Sequence, residues 1–173
     1  MVKLVKQNLS INKKIYNKKI TEIKKKIGNK YIINHVGSTS IPYMYGKNII
    51  DILIGVNTYE DLEKVTKELI GMGYCPGSSI NDSKCRFFAN TDEETKSGDI
   101  HIHVAIKDSD RYREFIILRD YLLNNKVERK NYSNFKKEIL KKGNNDREDY
   151  KRIKSEYVDE LLKRAISWHN NRK

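Results

Sequence analysis

The chain has 173 residues, 38% of them apolar and 34% charged, which supplies one domain with a sizeable core, leaves too little for two, and excludes a wholly disordered chain. Its net charge of +12 makes phosphate-bearing partners candidates, RNA among them, because clustered Lys and Arg release counterions from phosphate backbones. No apolar run reaches the length of a membrane span, the opening residues lack the apolar core of a signal peptide, and Cys75 and Cys85 match neither a zinc spacing nor a disulfide framework; the expectation is a cytoplasmic protein with buried, reduced thiols.

In residues 8–27, Ile11, Ile15, Ile20, Ile23 and Ile27 recur near helical spacing among lysines, and Gly28-Asn29 follows as a stop, which predicts an amphipathic opening helix. Residues 31–36 are short and β-branched and end at Gly37, a strand running into a turn. Pro42 and Gly46 then break any long helix. Residues 48–56 are apolar apart from Asp51, the pattern of a strand covered on both faces. Thr58 with Glu60 and Asp61 reads as a helix cap, and Leu62, Val65, Leu69 and Met72 continue a helix ended at residues 71–73.

An irregular stretch follows from Tyr74, residues 85–89 read as a third strand, and residues 90–98 as an exposed hairpin loop. Residues 99–106 alternate strictly, so that Asp99, His101 and His103 share one face of a strand and the isoleucines the other. From Ser109 the pattern is helical: one helix through Leu123, a second over 132–142, a break at 143–146 and a last helix over 146–169.

The chemistry concentrates in two places. The run His35-Val36-Gly37-Ser38-Thr39-Ser40-Ile41-Pro42 offers unhindered backbone N–H groups and hydroxyls, the means of cradling phosphate oxygens. Asp51 places a carboxylate in an apolar strand, where it either coordinates Mg²⁺ shared with a substrate phosphate or pairs with backbone amides or a cation such as Lys47. His101 and His103, about 7 Å apart at the rise of a strand, suit a metal ligand with a proton acceptor or phosphate contact, or two hydrogen-bonded strand histidines. A closed zinc site would need Asp51, Asp99 or His35 as a further ligand.

Lys47, Arg86, Arg111 and Arg119 are candidate phosphate contacts or solvated charges, and Arg86 stands out beside Phe87-Phe88 in a strand. Tyr43 and Tyr45, between the turn and Asp51, are placed to stack on a base or to fill space.

In order, His35 to Pro42, Lys47, Ile49-Ile50-Asp51-Ile52, Arg86-Phe87-Phe88, His101-Ile102-His103-Val104, Arg119-Asp120-Tyr121-Leu122 and Asp146-Arg147-Glu148-Asp149-Tyr150 resemble the GrpB family, a branch of the nucleotidyltransferase superfamily. The resemblance covers nearly the whole chain. It implies an α+β fold: one domain over 1–173, with a nucleotidyltransferase-like mixed β-sheet flanked by helices over 28–107 and a helical C-terminal portion over 108–173.

It further implies that Gly37, Ser38, Thr39 and Ser40, with Lys47 and Arg86, bind the phosphates of an NTP, and that Asp51, His101 and His103 hold Mg²⁺ or Mn²⁺ and serve catalysis. The implied activity is metal-dependent transfer of a nucleotidyl group from the NTP to an acceptor hydroxyl. Two departures qualify it. Leu53 stands where the superfamily carries a second acid, which leaves few negative ligands for a two-metal reaction. Residues 43–46, Tyr-Met-Tyr-Gly, also replace the small residues of the family, which has a glycine directly after the proline. The first departure favours an alternative, a non-catalytic binder of a nucleotide, RNA or a CoA-type phosphate ligand, the last because similar domains occur fused to dephospho-CoA kinase.

Overall fold

The computed structural model describes residues 3–77, 83–90, 99–142 and 147–172. In chain order these form β1 (Val5–Lys6), α1 (Leu9–Ile27), β2 (Ile32–Val36), a 3₁₀ turn (Ser38–Ser40), β3 (Tyr45–Gly46), β4 (Ile50–Val56), α2 (Tyr59–Gly71), β5 (Cys75–Pro76), β6 (Cys85–Ala89), β7 (Ile100–Ile106), α3 (Asp110–Asn124), α4 (Lys126–Lys142) and α5 (Arg147–Asn170). The expected loop at 91–98 and the break at 143–146 lie outside the described residues. β1, β3 and β5 are additions to the expected elements; each is two residues long, too short to carry a periodicity.

The five-stranded sheet has the order β2-β4-β7-β6-β5, with β4 and β7 parallel and every other pair antiparallel, so it is a mixed sheet flanked by helices, as expected. β1 and β3 form a separate antiparallel ribbon. One face of the sheet carries Ile50, Ile52, Ile54 and Val56 of β4 and Ile100, Ile102 and Val104 of β7, packed on Ile23 and Ile27 of α1 and Leu62, Val65 and Leu69 of α2. The other face carries Val36, Leu53, Cys85 and Ala105 against Tyr112, Phe115 and Ile116 of α3. Strict alternation along each strand sorts these two sets.

The helices end where their chemistry directs. Asn8 caps α1 by accepting from the N–H of Ile11 at 3.2 Å, Thr58 caps α2 by accepting from Asp61 at 3.1 Å, and Ser109 caps α3 by accepting from Tyr112 at 3.3 Å. α1 differs from its expected stripe: Ile11 is 54% exposed, whereas the polar Asn12 is buried one residue on. Cys85 is buried as expected, but Cys75 is exposed.

The C-terminal helices enclose a second apolar cluster, in which Ile41 and Met44 from the segment after the turn pack on Tyr121, Leu122, Tyr132, Leu161 and Ala165. That cluster fixes α4 and α5 against the end of the sheet where β2 leaves and β4 enters. Among the described residues no helix is long and apolar enough to cross a membrane.

Candidate functional site

Gly37 closes β2 at φ +70°, a left-handed conformation that glycine adopts without steric cost. A Cβ there would run into the Asp51 carboxylate, its Cγ 2.8 Å away, so the backbone of the turn lies directly against that side chain. A buried amide chain holds the turn from below: Asn12 Nδ2 donates to the Thr39 carbonyl at 3.3 Å and to Gln7 Oε1 at 2.9 Å, and Gln7 Nε2 donates to the Gly46 carbonyl at 3.0 Å. This is why Asn12 occupies a core position of α1. Ser40 Oγ donates to the Gly37 carbonyl at 2.7 Å, and Gly46 leaves room for the Ser38 hydroxyl.

Asp51 and His101 are register partners on the parallel strands β4 and β7, and the His101 Nδ1 to Asp51 Oδ1 distance is 3.3 Å. Both side chains are partly accessible, at 23% and 28%. Burial alone would raise the Asp51 carboxyl; the His101 hydrogen bond and the charges of His101, His103 and Lys154 overcome it and hold the group below its ordinary range. Leu53, the position of the missing second acid, is fully buried in the α3-side core.

His103 lies on the Asp51 face, in register with Leu53, but its ring is enclosed by Phe87 and Phe115, with centroids at 5.1 and 4.4 Å. Its Nδ1 is buried and has no hydrogen-bond partner among the described residues, and burial pushes the ring down to about 4. His35 belongs to the opposite face. It stacks on Tyr16 at 4.5 Å, meets Thr39 Oγ1 at 3.0 Å, and burial lowers it to about 4, which makes it a neutral packing group.

The structure also separates Arg86 from the turn. Arg86 is the register partner of Val104 and so lies on the α1–α2 face, where it reaches Glu63 and the Tyr59 hydroxyl, each at 3.3 Å. Alternation along β6 thus puts Arg86, expected as a phosphate contact, on the face opposite Asp51. Arg111 pairs with Glu114 at 3.0 Å, and Arg119 reaches the Asn34 side chain at 3.3 Å and the His35 carbonyl at 3.5 Å, bracing β2. Lys47 lies 5.1 Å from the Tyr150 ring. Tyr43 is 74% exposed, and the Tyr45 ring is covered by the Lys137 ammonium at 3.3 Å.

Two residues of this region are absent from the sequence reading. Lys136 on α4 is only 2% exposed, its ammonium 4.4 Å from the Tyr132 ring, and Lys154 on α5 is half-buried. Burial first, then the charge of Lys154, against a weaker opposing pull from Asp51, brings Lys136 down to about 7. Lys154 also acts on Asp51, His103 and Tyr150, whose hydroxyl burial raises to about 12. Among the described residues neither lysine has a hydrogen bond or an ion pair. The available signal was the phase of α4: Tyr132, Ser133, Lys136 and Ile139 recur on one buried stripe, and a lysine in that stripe needs a reason.

A divalent cation fits this set poorly. Mg²⁺ requires near-octahedral oxygen coordination, whereas the Asp51 carboxylate is already bound to His101. Among the described residues, no group of three or more His, Cys, Asp or Glu side chains is placed to hold a metal ion. What the arrangement concentrates is positive charge: the Lys136 and Lys154 ammonium groups act electrostatically on a carboxylate already bonded to His101.

The fold and site define a small α+β protein in which a mixed sheet presents a glycine turn over a strand carboxylate and helices close the far side. The family model described as GrpB protein matches residues 4–164, and the chain belongs to the GrpB family. It is 38% identical to the Glutamate-rich protein GrpB of Alkalihalophilus pseudofirmus over 75% of this chain and 76% of that one, and 29% identical to a UPF0157 protein of Halalkalibacterium halodurans over 88% and 76%. A crystal structure of the conserved protein GrpB from Enterococcus faecalis superimposes over 96% of this chain and 99% of that one, with a TM-score of 0.82 at 20% identity, a shared fold. A looser likeness reaches a structure of the Cid1 poly(U) polymerase bound to MgGTP, with a TM-score of 0.44 over 68% of this chain and 42% of that chain at 11% identity.

Proposed function

We propose that the chain binds a phosphate-bearing small molecule, a nucleotide in the first instance, between the 37–40 turn and the facing surfaces of α4 and α5. The observation that carries this reading is an imbalance of charge. Lys136 and Lys154 have no acidic side chain bonded to them among the described residues, while Asp51, the carboxylate acting on them, is engaged by His101. Buried ammonium groups are costly unless an anion is supplied, and a ligand phosphate supplies one.

The test is equilibrium binding of ATP, GTP, CTP, UTP and coenzyme A to the full chain, in EDTA and in Mg²⁺. At least one should bind in EDTA, and Gly37→Ala should weaken it by roughly tenfold or more, because the new Cβ displaces Asp51 and the turn together. Absence of binding by every ligand in both conditions overturns the reading.

Metal-dependent nucleotidyl transfer is the second reading. It is favoured by the ionised, partly accessible Asp51 beside the turn and opposed by Leu53 in place of a further oxygen ligand. Release of pyrophosphate from an NTP by the wild type in Mn²⁺, lost in Asp51→Asn, would establish it in place of simple binding.

A further inference from the structure

We propose that His101 is a nucleophile toward phosphorus: its Nε2 attacks a phosphorus atom of the bound ligand while Asp51 holds the ring by Nδ1; this rests on the phosphate-ligand reading above.

Asp51 and His101 face each other across the parallel strands β4 and β7, with Oδ1 and Nδ1 3.3 Å apart. Burial pulls the Asp51 carboxyl up, but the His101 hydrogen bond and the neighbouring charges outweigh it, so the acceptor is a carboxylate and the donor is Nδ1–H. A neutral ring that donates from Nδ1 carries its lone pair on Nε2, directed away from Asp51. The carboxylate is itself seated, because the turn backbone at Gly37 lies against its Oδ2 and Cγ. One carboxylate oxygen thus serves the histidine and the other lies under the turn. From β6, Phe87 meets the His101 ring near-perpendicularly at 5.0 Å, a second contact that fixes the ring plane.

Among the described residues, His101 combines a carboxylate at one nitrogen with access for a ligand, its side chain being 28% accessible. The other two histidines of the sheet lack that combination: His103 is enclosed by Phe87 and Phe115, and His35 is stacked on Tyr16 against Thr39. In the step itself Nε2 supplies its lone pair to phosphorus, an N–P bond forms, and the P–O bond to the departing phosphate breaks with its electron pair on the leaving oxygen. The ring then carries a proton on Nδ1 and the phosphorus group on Nε2, and Asp51 offsets its positive charge. Water completes the turnover: its oxygen bonds to phosphorus, the N–P electron pair returns to Nε2, and its proton goes to solvent. The donor class is a phosphoanhydride or a phosphoramidate.

The experiment incubates the full chain at pH 8 in EDTA with potassium phosphoramidate and, separately, with ATP radiolabelled at the α or the γ phosphorus, and maps acid-labile, alkali-stable label by mass spectrometry. His169, on α5, is the internal reference. His101 should take label from phosphoramidate roughly tenfold faster than His169 or more, and His101→Gln should abolish that label. Asp51 is a positioning residue, so Asp51→Asn should slow labelling of His101 by roughly tenfold or more and leave that of His169 unchanged. Nitrogen NMR of the wild-type ring should show the proton on Nδ1 and not on Nε2. Label from the α position with release of pyrophosphate marks transfer of a nucleotidyl group, and label from the γ position marks transfer of a phosphoryl group.

Labelling of His101 no faster than His169, equal rates in wild type and Asp51→Asn, or a proton on Nε2 overturns the proposal. Label at His101 from phosphoramidate without binding of any nucleotide upholds the nucleophile and removes the nucleotide as its donor. Nucleotide binding with no label at His101 from any donor overturns the nucleophile and leaves the binding reading standing, and neither binding nor label overturns both.

Discussion

Tyr43 holds φ +62°, a conformation costly for a bulky L-residue, at the position directly after Pro42 where the resemblance to the family leads one to expect glycine. The side chain is 74% exposed, so little packing compensates for the backbone. Tyr43→Gly should therefore stabilise the protein by up to about 1 kcal/mol, less the entropy that glycine adds to the unfolded chain, read as a higher urea midpoint. A lower midpoint would show that the tyrosine ring is worth more than the strain. Gly37 is the opposite case. Its positive φ and the Asp51 carboxylate against it leave no space for a side chain, so Gly37→Ala should cost about 2 kcal/mol or more in the same measurement, as strain and displacement add.

At the scale of elements, the cap of α3 joins the sheet to the helical portion. Ser109 is 5% exposed, accepts from the N–H of Tyr112 and donates its hydroxyl to the Ile106 carbonyl at 2.6 Å. Ser109→Ala removes both bonds at a buried junction and should cost about 1–2 kcal/mol of urea stability; a loss near zero would mean that α3 is positioned by Phe115 and Ile116 packing alone. Caps of this kind were legible, because a Ser or Thr before an amphipathic run has one local use, and so were the strands β4 and β7, with Asp99, His101 and His103 on one face of β7; that Asp51 shares that face follows from the parallel pairing of β4 with β7. What was not legible depends on partners distant in the chain. The opposite faces of Arg86 and Asp51 follow from the pairing of β6 with β7 and not from the composition of either strand. Asn12 looks like a surface residue until the Thr39 carbonyl is brought to it, and Lys136 looks like one of many lysines until α4 is laid against the segment after the turn.

Across the whole molecule, three buried bases give stability one direction of dependence on pH. His35 and His103 titrate near 4 in the folded chain against an ordinary 6.5, so between those values the unfolded chain binds protons that the folded chain refuses. Stability is then lost as pH falls through that window, by on the order of 3 kcal/mol for the fully enclosed His103 across its full width. Asp51, held below its ordinary carboxylate range, extends the loss at the acid end, since its stabilising charge disappears as it protonates. Lys136 acts higher on the scale. From about 7 to its ordinary 10.5 the unfolded chain keeps an ammonium proton that the folded chain has released, so raising the pH relieves the cost of burying this lysine. The expected urea midpoint rises steeply between about pH 4 and 6.5, and the difference between wild type and Lys136→Met narrows between about pH 7 and 10, because methionine carries no charge to bury. A midpoint flat across the acid window would mean that His35 and His103 are protonated in the folded protein, and a difference from Lys136→Met independent of pH would mean that Lys136 keeps its charge throughout.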